Sequence, residues 1–226
     1  MKFGSILDLF RADNWSNELV EKISEMLDIS GKMFAYATSV VIEGAPDEDV
    51  QDRIYERDKR INKLERKIRR RVVSRLAAAS GTADVPSALI FMNVVKDAER
   101  LGDYAKNLHE IRAMMPAQPD LELYRKHLAA PAAALKEIHA KTRKAFAESN
   151  GEVAGEVIQT ARAQGRAYEA AIRAITTSDM RTQDAVCIVL TLRFFKRIAA
   201  HMSNIATTVV MPIDLIDFYD EPEKQS

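Results

Sequence analysis

Apolar residues recur every three or four positions over six long segments of the chain, and this spacing constrains the fold more than any other feature of the sequence. Such a period places apolar side chains along one side of an α-helix and predicts helices that bury one face. Short segments rich in Gly, Pro, Asn or Ser separate them. The predicted helices cover residues 16–43, 47–79, 84–115, 121–147, 152–176 and 182–210.

The composition agrees with an all-α fold. Among 226 residues there are 8 Gly and 7 Pro, while 47% are hydrophobic and 29% charged, which is typical of a folded globular protein and not of a low-complexity chain. The 33 Lys and Arg residues balance 33 Asp and Glu residues, so the chain as a whole does not attract nucleic acid or lipid. No nucleic-acid partner is therefore expected, although a locally charged surface stays compatible with this balance.

The sequence favours a cytoplasmic protein. Cys187 is the single cysteine and lies in an apolar segment, which predicts a buried thiol and no intrachain disulfide. The N-terminal segment lacks the long apolar stretch of a secretory signal. No apolar stretch reaches the roughly 18 to 20 residues of a bilayer-crossing helix, so no membrane span is expected.

The chain has the pattern of an internal repeat. Three predicted helices lie on each side of a Pro-containing break at residues 116–120, and a shift of 97 residues aligns residues 97–108 with residues 194–205. The apolar positions stay in step through this alignment. We therefore predict two tandem antiparallel three-helix bundles, with a first domain at residues 1–116, a second at residues 117–212 and an acidic tail at residues 213–226.

Carboxylates interrupt the apolar faces of the second and third helices. Asp58 and Glu65 share a direction with the apolar stripe of the second helix, because seven residues return to nearly the same side. Glu99 and Asp103 lie one turn apart on the third helix, with Asp97 as a further candidate. Oxygen ligands of this kind suit Mg, Mn, Fe or Zn, whereas the alternative is that the acids pair with nearby Arg and Lys residues.

An enzymatic use of these acids is the second hypothesis. A di-iron oxidase built on a helix bundle normally needs Glu-x-x-His motifs, and no Glu in this chain has a His three residues later. The four histidines are scattered over the predicted helices, and no phosphate-binding loop or nucleophile motif occurs. A metal-dependent hydrolase or oxidase is therefore the less favoured hypothesis.

Residues 53–75 contain eleven Arg and Lys residues against three acids. This segment is compatible with a surface that binds an anion, nucleic acid or an acidic partner, and the alternative is a solvated helix face whose charges pair with acids elsewhere. The candidate binding residues are Arg66, Arg69, Arg70 and Arg71.

Residues 97–108, with the sequence DAERLGDYAKNL, closely resemble the signature of the PhoU family, roughly DLERIGDxAxNI. The two sets of three helices and the pattern from Asp58 to Glu65 extend the resemblance over most of the chain. The family signature places metal ligands at Glu99 and Asp103, with Asp97, Asp58 and Glu65 as additional ligands. In the second half Lys196 and Ala200 stand in place of the acids, so we expect one metal site at most.

The resemblance implies a cytoplasmic, non-enzymatic regulator of phosphate uptake and phosphate-starvation signalling. Its expected partners are phosphate transporter components or a sensor kinase, and its apolar helix faces are compatible with a homodimer. Metal bound at Glu99 and Asp103, with or without phosphate, is expected to couple ligand state to partner affinity. The N-terminal Phe3, Ile6, Leu7 and Phe10 also resemble a related family of transporter-associated helical proteins, which is the alternative assignment.

Overall fold

A computed structural model describes residues 14–78 and 85–217 of the chain. This part of the protein folds into six long α-helices joined by short connections, as the apolar period predicts. The helices are α1 (Asn14–Glu43), α2 (Glu56–Ala78), α3 (Val85–Glu110), α4 (Leu121–Glu148), α5 (Gly151–Thr176) and α6 (Thr182–Val210). Single short turns of helix precede α2 and follow α3 and α6, at Gln51–Tyr55, Ile111–Met114 and Ile213–Leu215.

Capping side chains and a residue with left-handed backbone conformation determine where the helices begin and end. The Asp120 side chain accepts hydrogen bonds from the backbone amides of Glu122 and Leu123 and so caps the start of α4. Asn150 caps α5 in the same way, directly after Ser149 ends α4 in the left-handed conformation. These local signals keep the connection between the two helices very short.

The second helix begins later than its acidic group predicts. Asp49 has a φ of 58°, which is incompatible with a helix, and the chain enters helical geometry only after it. Asp47 binds the third helix instead, because its carboxylate lies 2.8 Å from His109 Nε2 and accepts a hydrogen bond from the Tyr36 hydroxyl at 2.8 Å. The carboxylate at residue 47 thus ties a connection to α1 and α3.

Four helices form the centre of the molecule and two lie outside it. Helices α1 and α3 of the first half pack against α4 and α6 of the second, whereas α2 covers α1 and α3, and α5 covers α4 and α6. Each half is an antiparallel three-helix bundle, as predicted. The outer helices α2 and α5 are amphipathic, and they leave one long face each to solvent.

A continuous apolar core joins the two halves. Phe34 of α1 and Phe195 of α6 meet with ring centroids 5.6 Å apart, and Cys187 lies buried in the same core. Polar contacts cross between the halves as well, since His139 of α4 lies 3.2 Å from the Ser30 hydroxyl of α1. The domain limits at residues 116 and 212 stay a prediction.

Several expectations concern residues outside the described part of the chain. They are the N-terminal apolar group at residues 3–10, the start of the third predicted helix at Asp84 and the acidic residues after position 217. Among the described helices, none combines the length and the hydropathy that a membrane crossing requires.

Candidate functional site

Four of the predicted acids lie together where α2 packs against α3. Asp58 and Glu65 come from α2, and Glu99 and Asp103 come from α3; we call these four residues the acidic face. Their side chains retain between 15% and 25% of their full exposure, so they are shielded from solvent without being sealed from it. The seven-residue and four-residue spacings therefore place the carboxylates as predicted.

Lys106 joins the two sides of the acidic face. Its ammonium group lies 3.2 Å from Asp58 Oδ2 and 3.4 Å from Asp103 Oδ1. Burial lowers the pKa of Lys106, but the hydrogen bond and charge of Asp58 and the charge of Asp103 outweigh that effect and leave the pKa above its usual value. The side chain is consequently a fixed positive charge between the helices.

Two arginines pair with the same face from outside. Arg100 donates to Asp103 at 2.8 Å, and Arg69 lies 2.6 Å from Glu65. Both guanidinium groups are about half exposed, so these ion pairs contribute little to stability by themselves.

Glu99 is the least compensated carboxylate of the acidic face. Burial raises its pKa, and the negative charges of Asp103 and Glu65 raise it further, while Arg100 at 3.7 Å offsets part of the effect. The charged form of Glu99 is therefore disfavoured in the folded protein.

Asp97 does not join the acidic face. Its carboxylate points to the second half and lies 2.7 Å from His201 Nδ1. The His201 ring stacks on Tyr104 with centroids 5.6 Å apart, which holds the pair between α3 and α6. Sequence spacing could not reveal this contact, because the two partners are 104 residues apart.

The acidic face has the oxygen ligands that a hard cation prefers, but its carboxylates are paired with Lys106 and Arg100. Carboxylate oxygens suit Mg, Mn or Fe, and the raised pKa of Glu99 reflects its burial together with neighbouring negative charge that a cation would stabilise. Within residues 14–78 and 85–217, however, no group of three or more His, Cys, Asp or Glu side chains is placed to hold a metal ion. A bound metal would have to displace Lys106 and Arg100 from the carboxylates.

Gly102 allows α2 and α3 to approach closely at the acidic face. A Cβ atom at this position would lie 2.6 Å from Ile61 Cδ1, well inside van der Waals contact. The glycine therefore serves the packing of α2 against α3.

The predicted basic surface divides into paired and unpaired residues. Arg69 binds Glu65, and the Arg71 Nε lies 3.0 Å from Glu18 of α1, so both stabilise contacts within the chain. Four exposed cations on the outer side of α2 make no ion pair with any described residue, and we call them the basic face: Lys63, Arg66, Lys67 and Arg70. Their spacing of three and four residues lines them up along the helix.

Three comparisons with known proteins agree with this geometry. Residues 23–111, which contain the acidic face and the basic face, match the family model of the PhoU domain. Over 93 residues the chain is 32% identical to the phosphate-specific transport system accessory protein PhoU homolog 1 of Thermotoga maritima. That match covers 41% of this chain and 38% of the Thermotoga protein, so it spans well under half of either.

The fold of most of the chain is similar to a solved structure. The crystal structure of PhoU from Pseudomonas aeruginosa superposes with a TM-score of 0.73 at 24% identity, covering 85% of this chain and 94% of that one. The chain therefore has the fold of the Pseudomonas protein, and the resemblance to the PhoU family found in its sequence is confirmed over residues 23–111.

Proposed function

We propose that this protein is a cytoplasmic, non-enzymatic regulator of inorganic phosphate transport that acts by contact with phosphate transporter components or with a sensor kinase. One observation carries the proposal: the PhoU-domain match falls on the segment that contains the acidic face between α2 and α3 and the basic face of α2. The name of the Thermotoga relative supports a role beside a phosphate transport system.

The basic face is the surface that we propose for partner contact. Its unpaired cations can meet acidic side chains of another protein without breaking an ion pair within the described chain. Charges of this kind raise the association rate and select the partner more than they add affinity. A partner with an acidic patch therefore fits α2 better than an apolar one.

Radiolabelled phosphate uptake tests the proposal in cells of the source organism that lack this chain. Complementation with wild type should restore regulated uptake, and the double variant Arg66→Glu/Arg70→Glu should fail to restore it. The matched control is Lys136→Glu/Lys144→Glu, which reverses two exposed cations of α4 and should complement normally. Unchanged uptake in the cells that lack the chain would contradict a role in phosphate transport.

Metal binding at the acidic face is a second proposal. Glu65, Glu99, Asp103 and Asp58 would hold the ion, and Fe, Zn, Mn or Mg would each find oxygen donors there. Such an ion would add a bond between α2 and α3 at the site where Lys106 now joins them.

Metal content per chain, measured by mass spectrometry on protein purified without chelator, tests this second proposal. Stoichiometric metal in wild type and its loss in Glu99→Ala/Asp103→Ala is the expected result. The control Glu137→Ala/Glu156→Ala removes two exposed acids from the second half and should keep the metal. Absence of metal after incubation with Fe, Mn or Zn would overturn it.

A further inference from the structure

A cavity of about 280 Å³ lies between α5 and α6 in the second half. Its volume is near the lower end of the range for small-molecule sites, which suits a compact ligand. The polar and small residues that matter for its chemistry are Arg162, Arg166, Lys196, Ala200, Ser203 and Asn204.

Small side chains create this cavity. Helices α3 and α6 start 97 residues apart, so this shift relates their positions. On α2 the large residues Leu64 and Ile68 are buried against the neighbouring helices, whereas α5 places the small residues Ala161 and Gly165 along the cavity. A Cβ atom at Gly165 would meet nothing within 4 Å. Small residues of α5 therefore leave space between α5 and α6.

The charges of the acidic face are reversed or lost at the equivalent positions. Lys196 of α6 corresponds to Glu99 of α3. Ala200 corresponds to Asp103 and removes a carboxylate without replacing it. Three cations thus line a cavity beside the helix whose counterpart in the first half carries Glu99 and Asp103.

The cations face the same space from two helices. Arg162 and Arg166 lie one turn apart on α5, and Lys196 lies opposite them on α6. Arg166 makes no ion pair with any described residue, so its guanidinium group is available to a ligand. Ser203 and Asn204 of α6 add a hydroxyl and an amide that can donate hydrogen bonds.

Two carboxylates also line the cavity and reduce its positive charge. Glu169 forms an ion pair with Lys196, and Asp217 lies at the edge, where its backbone amide donates to the Thr207 hydroxyl at 3.3 Å. Three cations against two carboxylates leave the lining with a net positive charge. The ligand must consequently be an anion small enough to avoid the two acids.

We propose that the cavity between α5 and α6 binds a small free oxyanion of the phosphate class, held chiefly by Arg166 with hydrogen bonds from Ser203 and Asn204. Guanidinium groups suit this ligand because their parallel N–H donors match the oxygens of a tetrahedral anion. The proposal rests on the lining residues alone, so its failure would leave the proposed function untouched.

Isothermal titration calorimetry at low ionic strength, with inorganic phosphate and with sulfate as probes, tests the site in the full-length protein. Wild type should bind one phosphate per chain in a saturable manner. Arg166→Gln and Ala200→Asp should each weaken binding by at least roughly tenfold, since one removes a bidentate donor and the other restores the carboxylate of the first half.

The control variant is Arg197→Gln, which removes an exposed cation of α6 that does not line the cavity and should leave affinity within about twofold of wild type. Ala200 is exposed, so its substitution by Asp is compatible with folding, and circular dichroism will verify this. The absence of saturable binding by both anions, or equal affinity in all variants, would overturn the proposal. Tighter binding of glycerol 2-phosphate than of inorganic phosphate would overturn the assignment to a free anion.

Discussion

The two halves of this protein share a helical plan and differ in the chemistry placed on it. In the first half, α2 and α3 bring four carboxylates together around Lys106. In the second half, α5 and α6 place cations and small residues along a cavity between them. Two three-helix bundles of one chain can thus share an arrangement of helices while their polar contacts differ in charge.

The largest expected effect concerns the core where the halves meet. Phe195 of α6 is fully buried against Phe34 and Tyr168, whereas the equivalent residue of the first half is Ala98. Phe195→Ala should lower the free energy of unfolding by about 3 to 5 kcal/mol, because it leaves a cavity at the centre of the molecule. Urea denaturation measures this loss.

The neighbouring Phe194→Ala serves as the control for Phe195→Ala. Phe194 is only partly buried, so Phe194→Ala should lower the free energy of unfolding clearly less than Phe195→Ala does. A loss below about 1 kcal/mol for Phe195→Ala would show that the two halves do not depend on a shared core.

The next effect is a pH dependence at the contact between α1 and α4. Burial against α1 lowers the pKa of His139 from its ordinary 6.5 to about 4, so the folded protein holds this ring neutral. Below pH 6.5 the unfolded chain binds a proton at His139 that the folded chain does not bind. The free energy of unfolding therefore falls until the pH reaches the pKa of His139 in the folded protein. The free energy of unfolding should fall by about 2 kcal/mol, because the partial exposure of His139 makes the effect smaller than the whole pKa difference implies.

Unfolding curves recorded from pH 7 to pH 4 measure this loss. His139→Gln should flatten the decline, because glutamine can bind Ser30 without titrating. The exposed-surface variant Lys136→Gln should keep the wild-type profile. An identical decline in His139→Gln would place the responsible group elsewhere.

The acidic face should respond more strongly to loss of a charge than the equivalent position of the second half. Glu99→Gln removes a charge that burial and the neighbouring carboxylates disfavour, and it should raise the free energy of unfolding at pH 7. The gain should disappear as the pH falls through the raised pKa of Glu99, because wild-type Glu99 is then protonated. Thermal unfolding at pH 7 and at pH 4 measures both values.

Lys196→Gln is the matched variant at the equivalent position of α6. It breaks a largely exposed ion pair with Glu169 and should change stability little. Destabilisation by Glu99→Gln in metal-free protein would mean that the carboxylate is already well compensated by Lys106 and Arg100.

The smallest effect concerns the close approach of α2 and α3. Gly102→Ala gains about 1 kcal/mol of helix propensity but pushes its Cβ atom against Ile61, so the net change should stay within about 1 kcal/mol. The second half already has Ala199 at the equivalent position.

The double variant Gly102→Ala/Ile61→Val removes the contact between the new Cβ atom and Ile61 Cδ1. Its free energy of unfolding should be higher than the sum of the two single changes predicts. Urea denaturation of the four proteins gives the coupling free energy. Strict additivity would mean that the Ile61 side chain simply moves aside.

The six helices could be predicted from the sequence because the apolar period and the Gly, Pro and Asn breaks act locally. The start of α2 could not, since Asp49 takes a left-handed conformation and Asp47 binds His109 of α3. The fold thus follows from local patterns, except where a connection makes a contact with a distant helix.

The acidic face could be predicted from the sequence as the helices could, because the spacing of residues along one helix determines on which side their side chains lie. The pairing of Asp97 with His201 and of Arg71 with Glu18 joins residues far apart in the chain, and no spacing rule predicts it. The cavity in the second half depends on how α5 approaches α6, which only the structure shows.

Backbone amide NMR tests the contrast between the halves most directly, by titrating one labelled sample with Mg²⁺ and a second with inorganic phosphate. We expect Mg²⁺ to shift amides of α2 and α3 around Glu65 and Asp103, and phosphate to shift amides of α5 and α6 around Arg166 and Ala200. Shifts from both ions in the same half, or from neither ion at these positions, would contradict the account.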